Sequence, residues 1–516
     1  MALPLTPPGP HPPLTPEEIH RRKLAEWQIS GSGALPSNVD WYDRLDPEER
    51  RRLGHPVRRK PSRTLSGVAV VAVMTAPARC PHGRCTYCPG GVENNSPQSY
   101  TGEEPSALRG AQFGYDARAI TEHRLATLAT IGHPTSKVEV IVMGGTFPSR
   151  PRAHRESVFR GIFDGLNGVG SGSLAEAQHR NEEAEHRCVS LTVETRPDWC
   201  DGRILPELLD NGVTRVEIGV ECLRDDVLNA VGRAHGVEEV ALATREARDR
   251  GLKVCYHLML GLPGMDPTRD LEDFRRLFDD PAFRPDMLKI YPTLVLPGTG
   301  LYDDWKAGRY APYDLDTASN LLAREKELLP PWVRIQRVQR DIPSRLIAAG
   351  VRQSNIRERA VALLEGQGKR CRCLRCREPG RRASPSHDQF VPCELRYGAA
   401  GGTELFLSFE APESDTVVGF LRLRFPSDRT DGGLRYPVIR ELKVLGNSVS
   451  VGLAGERANE YQHRGFGRAL VLRAEAATRE AGFDRLHVLS AVGTRSYYRR
   501  LGFFADGPHM TKSGFA

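Results

Sequence analysis

Between residues 67 and 296 six short β-rich runs recur, with helical segments such as DVLNAVGRAHGVEEVALATREARDRG between them. The runs are GVAVVAVM (67–74), KVEVIVMGG (137–145), CVSLTVETR (188–196), RVEIGVE (215–221), KVCYHLMLGLP (253–263) and DMLKIYPTLVL (286–296). All are largely apolar along their length, as strands covered on both faces are. Strands alternating with helices build a parallel sheet. The spacing therefore predicts an α/β fold with a parallel sheet or partial (βα)6 barrel, whose chemistry sits at the C-terminal strand ends. The texture changes after a Gly-, Arg- and Cys-rich stretch at 365–393. GTELFLSFE, TVVGFLRLRF and VIRELKVLG read as antiparallel strands, followed by the helical YQHRGFGRALVLRAEAATREAG, the strand RLHVLSA and the segment TRSYYRRLGFF. These form a second, α+β domain.

The chain has 516 residues, enough for several domains at about 150 residues each. No run of about 20 apolar residues marks a membrane span. The proline-rich start MALPLTPPGPHPPLTPEE lacks the apolar segment of a secretory signal, and residues 1–15 read as a disordered tail. A short helix follows in LTPEEIHRRKLAEWQIS. The eleven cysteines are odd in number and clustered at 80–88 and 371–376. That pattern fits metal-bound thiolates in a reducing cytoplasm better than a secreted disulfide framework.

Cys80, Cys85 and Cys88 lie in the loop directly after the first strand. Three thiolates can hold three irons of a [4Fe–4S] cluster and leave the fourth iron free. A free iron can chelate S-adenosylmethionine (SAM) and pass it one electron. That is the radical-SAM arrangement, although its usual spacing is C-x3-C-x2-C and here it is C-x4-C-x2-C. The alternative is a zinc site completed by His82. Position favours the cluster: MGGTF ends the second run, where Gly144 and Gly145 let the backbone approach the SAM amino group. ETRPDW ends the third, where Glu194 and Arg196 either hold the SAM ribose and carboxylate or form a buried structural pair.

In the second domain QHRGFG (462–467) matches the pyrophosphate loop of GNAT acetyltransferases. There Gln462, Gly465 and Gly467 would open a helix N-terminus whose N–H groups cradle coenzyme A. YYRRLGF follows at a suitable distance, and of Tyr497 and Tyr498 one is expected to pack and the other to serve the departing thiolate. CRCLRC supplies Cys371, Cys373 and Cys376, a set suited to tetrahedral zinc. Cys393 is the leading choice for the fourth ligand, and His387 the second.

Basic residues are clustered. Seven lie between Arg50 and Arg63 with no acid among them, and seven between Lys369 and Arg382 against one glutamate. Arg334, Arg337, Arg340, Arg345, Arg352 and Arg357 recur between the domains. Such clusters are the footprint of a polyanion such as nucleic acid, the alternative being a solvated arginine-rich surface. Arg58, Arg59, Lys60, Arg337 and Arg340 are the expected contacts. The chain thus divides into a tail (1–15), a basic RNA-binding segment (16–64), a radical-SAM domain (65–345), a basic zinc linker (346–395) and a GNAT domain (396–516).

From about residue 58 to 514 the sequence resembles the catalytic subunits of Elongator, a family of tRNA wobble-uridine carboxymethyltransferases. The resemblance rests on RRKPSRTLSGVAVVAVM, CPHGRCTYCPGG, QSYTGEEPSALR, KVEVIVMGGTF, ETRPDWC, RVEIGVE, LPGTGLYDDWKAGRY, RVQRDIP, VGTRSYYRRLGF and GPHM. Its CRCLRCRE form looks like the archaeal and bacterial members. It implies that Cys80, Cys85 and Cys88 hold the cluster, and that Lys137 contacts acetyl-CoA from the radical-SAM side. It further implies that Glu441, Leu442, Lys443 and Val444 lie along the acyl-pantetheine, that Phe466, Gly467 and Arg468 form the pyrophosphate loop, and that Tyr498 contacts CoA, with Lys137 and Tyr498 the catalytic pair. The implied reaction passes a radical from SAM to the acetyl methyl group and adds that carbon to C5 of the wobble uridine. Thioester hydrolysis then leaves 5-carboxymethyluridine, and the anticodon stem-loop is the partner. The competing reading is a protein lysine acetyltransferase with a structural cluster, which leaves MGGTF and ETRPDW without a task. The sequence leaves open the electron donor, the tRNAs chosen and the oligomeric state, a homodimer included.

Overall fold

The structure, a computed structural model, describes residues 16–30, 41, 44–45, 61–381, 383–427, 433–453 and 460–514. Arg58, Arg59, Lys60 and the tail 1–15 lie outside the described residues.

The first sheet is wholly parallel, and its seven strands follow one another in chain order. They are β1 (Ala69–Met74), β2 (Lys137–Met143), β3 (Arg187–Thr195), β4 (Arg215–Glu221), β5 (Lys253–Leu260), β6 (Met287–Pro292) and β7 (Arg334–Val338). The six expected strands are present. The seventh comes from RIQRV, which the sequence presents as basic surface; Arg334 is instead buried against Glu378 at 2.6 Å. Its charges hid its β character.

Helices cover the outer face, where Val71, Val73, Val140, Val142, Val193, Val216, Ile218, Val254 and Ile290 form one apolar core. The inner face differs from the expectation of strands apolar on both sides. Paired residues of adjacent parallel strands share a face. The register Glu139↔Ser190, Glu194↔Glu217, Arg215↔Lys253 and His257↔Lys289 therefore puts a polar, charged set on the concave side.

The second sheet runs β13-β14-β12-β11-β10-β9-β8. Its strands are β8 (Val391–Ala399), β9 (Gly402–Ala411), β10 (Thr416–Phe425), β11 (Val438–Val444), β12 (Arg485–Val488), β13 (Phe504–Asp506) and β14 (His509–Ser513). It begins inside the stretch read from sequence as linker. The β11–β12 pair is parallel and is joined only at Val438↔His487 and Ile439↔Val488. Beyond that point β11 continues to Val444 while β12 ends, so the sheet parts. Helix Phe466–Glu480 packs Leu470, Val471 and Ala474 into the core of this sheet.

The two sheets are joined by buried ion pairs. Asp286, just before β6, accepts from Arg440 of β11 at 2.7 and 2.8 Å, and lies within 3.3 Å of Arg248 and 3.7 Å of Arg422. Glu404 of β9 meets Arg440, Arg248 and Arg424, and Arg424 reaches Asp249 at 2.6 Å. All these groups are buried. The surrounding guanidiniums hold the Asp286 carboxyl well below the usual carboxylate range despite its burial. Removing one partner of such a set leaves uncompensated charge in a dry interior. Asp286→Asn should lower unfolding free energy by about 3–5 kcal/mol, read by denaturant unfolding. The folded pKa lies below the unfolded value of about 3.9, so this contribution is complete at neutral pH and is lost as pH falls below that value.

Candidate active site

Two cavities lie one above the other along the concave face of the first sheet. The lower, of about 480 Å³, lies where the second sheet parts. Its walls are Lys137, Glu139, Arg215 and Lys253 from the N-terminal part of β2, β4 and β5, and Glu441–Val444, Gln462, Gly465–Arg468, Tyr497 and Tyr498 from the other domain. The upper, of about 130 Å³, lies at the C-terminal strand ends. It is walled by Cys80, Tyr100, Gly145, Glu194, Arg196, Glu217, Arg233, His257, Lys289, Tyr291, Arg337 and Arg340.

At the upper cavity the three cysteines of the first loop carry free thiols. Gln98 donates to the Cys88 sulfur at 3.1 Å, Arg233 approaches that of Cys85 at 3.9 Å, and Thr146 lies 3.7 Å from that of Cys80. Their sulfurs are not gathered within 4.8 Å of one another, as ligands of a single zinc ion would be. Ligands of separate irons in a cluster stand farther apart than those of one zinc ion, and the loop is compatible with the cluster. His82 Nε2 sits 3.2 Å from the Cys85 sulfur, and burial with nearby Arg196 and Arg233 lowers its pKa to about 4. Gly144 and Gly145 follow β2 directly, with φ of 125° and 92°. A Cβ on Gly144 would fall 2.4 Å from Thr75 Oγ1, so only glycine brings this backbone into the mouth. Glu194 accepts from Tyr100 at 3.1 Å and faces Lys289 at 3.7 Å. Arg196 is largely committed, with two bonds to Asp198 and one to the Arg233 carbonyl. Arg337 and Arg340 turn into this cavity, bonded to Asp341 and to the Ser99 carbonyl.

In the lower cavity Gly465, at φ 93°, is the N-cap of helix Phe466–Glu480 and no side chain caps it. Its first N–H groups remain available to an anion. Lys137 donates to Gln462 Oε1, and burial alone lowers its pKa to about 7. Gln462 also binds Val449 N at 3.0 Å and the carbonyls of Gly67 and Val444 at 3.1 Å, which pins the loop to the first domain. Gly67 has φ 85°, and a Cβ there would strike the Gln462 amide at 2.1 Å. Glu441 is engaged by Arg422 at 2.9 Å, and Lys443 faces Glu139 at 3.6 Å. Tyr498 is buried against Phe503. Tyr497 lies beside Gly467, and the charges of Arg468 and Arg500 reach it.

The cavities are separated by one layer of ion pairs. Arg215 binds Glu139 at 2.6 Å and Glu217 at 3.4 Å; Glu217 in turn binds Lys289 and, at 3.0 Å, His257. Arg215 lines the lower cavity and Glu217 the upper, two residues apart on one strand, a rise of about 7 Å. The sequence reading missed Arg215, Glu217, Arg233, His257 and Lys289. For the four on strands the signal was present, as polar residues at alternate positions of RVEIGVE, KVCYHL and MLKIYP; Arg233 comes from the loop after β4 and had no such signal.

Cys371, Cys373 and Cys376 do converge, with sulfurs within 4.8 Å of one another. Cys393 is not among them. It sits in β8 facing the Val391 carbonyl at 3.8 Å, while His387 stacks on Phe466. The fourth side is taken by Lys326, whose ammonium lies 3.3 and 3.5 Å from the Cys371 and Cys376 sulfurs. Neither Cys393 nor His387 joins this group in the structure: Cys393 lies on β8, and His387 in the short turn before that strand. The loop bridges the domains, with Leu374 N bonded to the Val333 carbonyl and Val417 N to that of Arg377, at 2.9 Å each.

The chain matches the Radical SAM superfamily over residues 75–278, the Radical_SAM C-terminal domain over 285–364 and the Acetyltransferase (GNAT) family over 374–503. A tRNA uridine(34) acetyltransferase of Methanocaldococcus jannaschii is 43% identical over 488 residues, 92% of this chain and 90% of that protein. One from Dehalococcoides mccartyi is 47% identical over 462 residues, covering 88% and 99%. The human Elongator complex protein 3 is 43% identical over 501 residues, covering 93% and 90%. The solved structure of the archaeal Methanocaldococcus infernus Elp3 with an N-terminal deletion superposes with a TM-score of 0.77 at 39% identity, covering 87% of this chain and all of that one. With this identity along nearly the whole chain, and a radical-SAM sheet joined to a GNAT sheet around stacked cavities, the chain belongs to the family of tRNA uridine(34) acetyltransferases and Elongator complex protein 3.

Proposed function

We infer that the chain is a tRNA-modifying enzyme that uses acetyl-CoA and radical-SAM chemistry to place a carboxymethyl group on C5 of the wobble uridine. The observation that carries this reading is the stacking of the two cavities on one barrel axis, one ion-pair layer apart. A lysine acetyltransferase would need only the lower cavity.

The cluster and SAM, when bound by Cys80, Cys85 and Cys88 and the Gly144–Gly145 turn, supply a one-electron cleavage that yields a carbon-centred radical. The chain's own residues do the rest. The open helix N-terminus at Gly465–Gly467, with Arg468, receives the CoA pyrophosphate. The free run of β11, Glu441–Val444, lies along the pantetheine. That directs the thioester toward Lys137, whose ammonium stabilises negative charge on its oxygen. Tyr498, or Tyr497 beside the loop, donates the proton to the departing thiolate. Lys289, Glu217 and Glu194 form the base of the upper cavity, and Arg337 and Arg340 supply positive charge at its mouth. A base reaches this depth only when unstacked, so the anticodon loop must present uridine splayed out. Arg58, Arg59 and Lys60 are proposed phosphate contacts. A zinc ion on Cys371, Cys373 and Cys376 is proposed as a brace between the sheets.

Cys85→Ala should abolish reductive SAM cleavage and tRNA carboxymethylation. Production of 5′-deoxyadenosine at the wild-type rate by the anaerobically reconstituted variant would refute the radical-SAM reading.

Lys137→Met should lower acetyl-CoA turnover by about a hundredfold, the scale for losing one donor to a developing oxyanion. Its cation form prevails below the folded pKa of about 7, so wild-type turnover should fall as pH rises through that value. The variant's profile should be flat there. An unchanged inflection in the variant would assign the titration to another group.

Protein purified without chelators should contain about one zinc per chain. Cys373→Ala should lose it and melt at lower temperature. Metal analysis finding no zinc in the wild type would remove the brace.

A further inference from the structure

At the free edge of the first sheet lies a groove of about 240 Å³ that the reaction described above does not use. It is lined by Arg63, Arg109 and Arg124 over a floor of Val70, Ala72 and Leu128. The register Val70↔Glu139 puts Val70 on the concave face, so the groove follows the open side of the half-barrel.

Its three guanidiniums face no carboxylate among the described residues. Among the described residues none makes an ion pair, and the charges acting on Arg109 and Arg124 are those of the other arginines. Arg109 and Arg124 are half-buried, and burial together with this mutual repulsion lowers the Arg124 pKa to about 10. The Nε of Arg109 is buried with no acceptor in reach. The fully buried arginines around Asp286 and Glu404 are, by contrast, matched by acids. Like charges gathered at reduced solvation without a counter-charge are unfavourable alone, and an orphaned buried donor marks a missing acceptor. Planar guanidiniums suit phosphate oxygens in bidentate pairs.

We propose that Arg63, Arg109 and Arg124 form a phosphodiester site that grips the RNA backbone along the open edge of the half-barrel. The inference rests on the reading that RNA is the substrate. The apolar floor suits a ribose face between phosphates. The other phosphate source is CoA, whose pyrophosphate already has the helix N-terminus at Gly465 and Arg468.

The test compares wild type, Arg109→Gln/Arg124→Gln and Arg109→Lys/Arg124→Lys in tRNA binding across a salt series, with acetyl-CoA and inorganic phosphate binding measured in parallel. The glutamine pair should weaken tRNA binding and reduce the slope of log affinity against log salt by about 1 per lost phosphate contact. The lysine pair should retain the slope. The melting temperature of the glutamine pair should not fall, since repulsion is relieved and no intramolecular partner is lost. Unchanged tRNA affinity and slope overturn the proposal. So does a loss confined to acetyl-CoA or inorganic phosphate, which would make this a small-anion site. If the glutamine pair melts lower, Arg124→Gln alone decides by the same slope. Failure of the wild type itself to bind tRNA would instead bring down the substrate reading, and the groove with it.

Discussion

The placement of the lower site against the barrel depends on Asp286. This carboxylate stands at the start of β6 in the first sheet, and its closest donors are on Arg440 of β11 in the second. Arg440 is followed at once by Glu441–Val444, the edge of the lower cavity. The ion pair therefore sets where the strand that lines the acetyl-CoA cavity lies against the barrel. A buried network of this kind is a weak source of net stability, because desolvation consumes most of the Coulomb gain. What it supplies is a single docking register, since any slip would strand several charges in a dry interior.

The same economy of buried charge explains the barrel's interior. A parallel barrel is ordinarily filled by branched apolar side chains. Here the concave face carries Glu139, Arg215, Glu217, Lys253, His257 and Lys289, and nearly every charge has a neighbour of opposite sign. The filled layer is thin because long side chains lying across the barrel axis close it with one tier. That leaves space above for one ligand and below for another.

The strands β1 to β6, the cysteine loop after β1 and the CoA loop before a long helix were legible because each carries a local signal: hydrophobic runs, close cysteine spacing, glycines before a helical pattern. The seventh strand was not, since RIQRV shows more charge than apolar character and is a strand only because β6 and Glu378 receive it. The polar concave face was visible as alternation in RVEIGVE but was overshadowed by the apolar half of each run. Cys393 lies apart from the other three cysteines for a tertiary reason: it belongs to β8, which pairs with β9, and its thiol faces the Val391 carbonyl.

The sequence by itself determined the two chemistries and their order along the chain, because cluster ligands, phosphate-cradling glycines and strand periodicity are short-range patterns. Only the tertiary structure decided that the two cavities share one axis, that Lys326 closes the cysteine set, and that three arginines from distant segments meet at the edge of β1. These depend on which strand faces which and on which charges lack a partner. Such relations exist only after the chain has closed on itself.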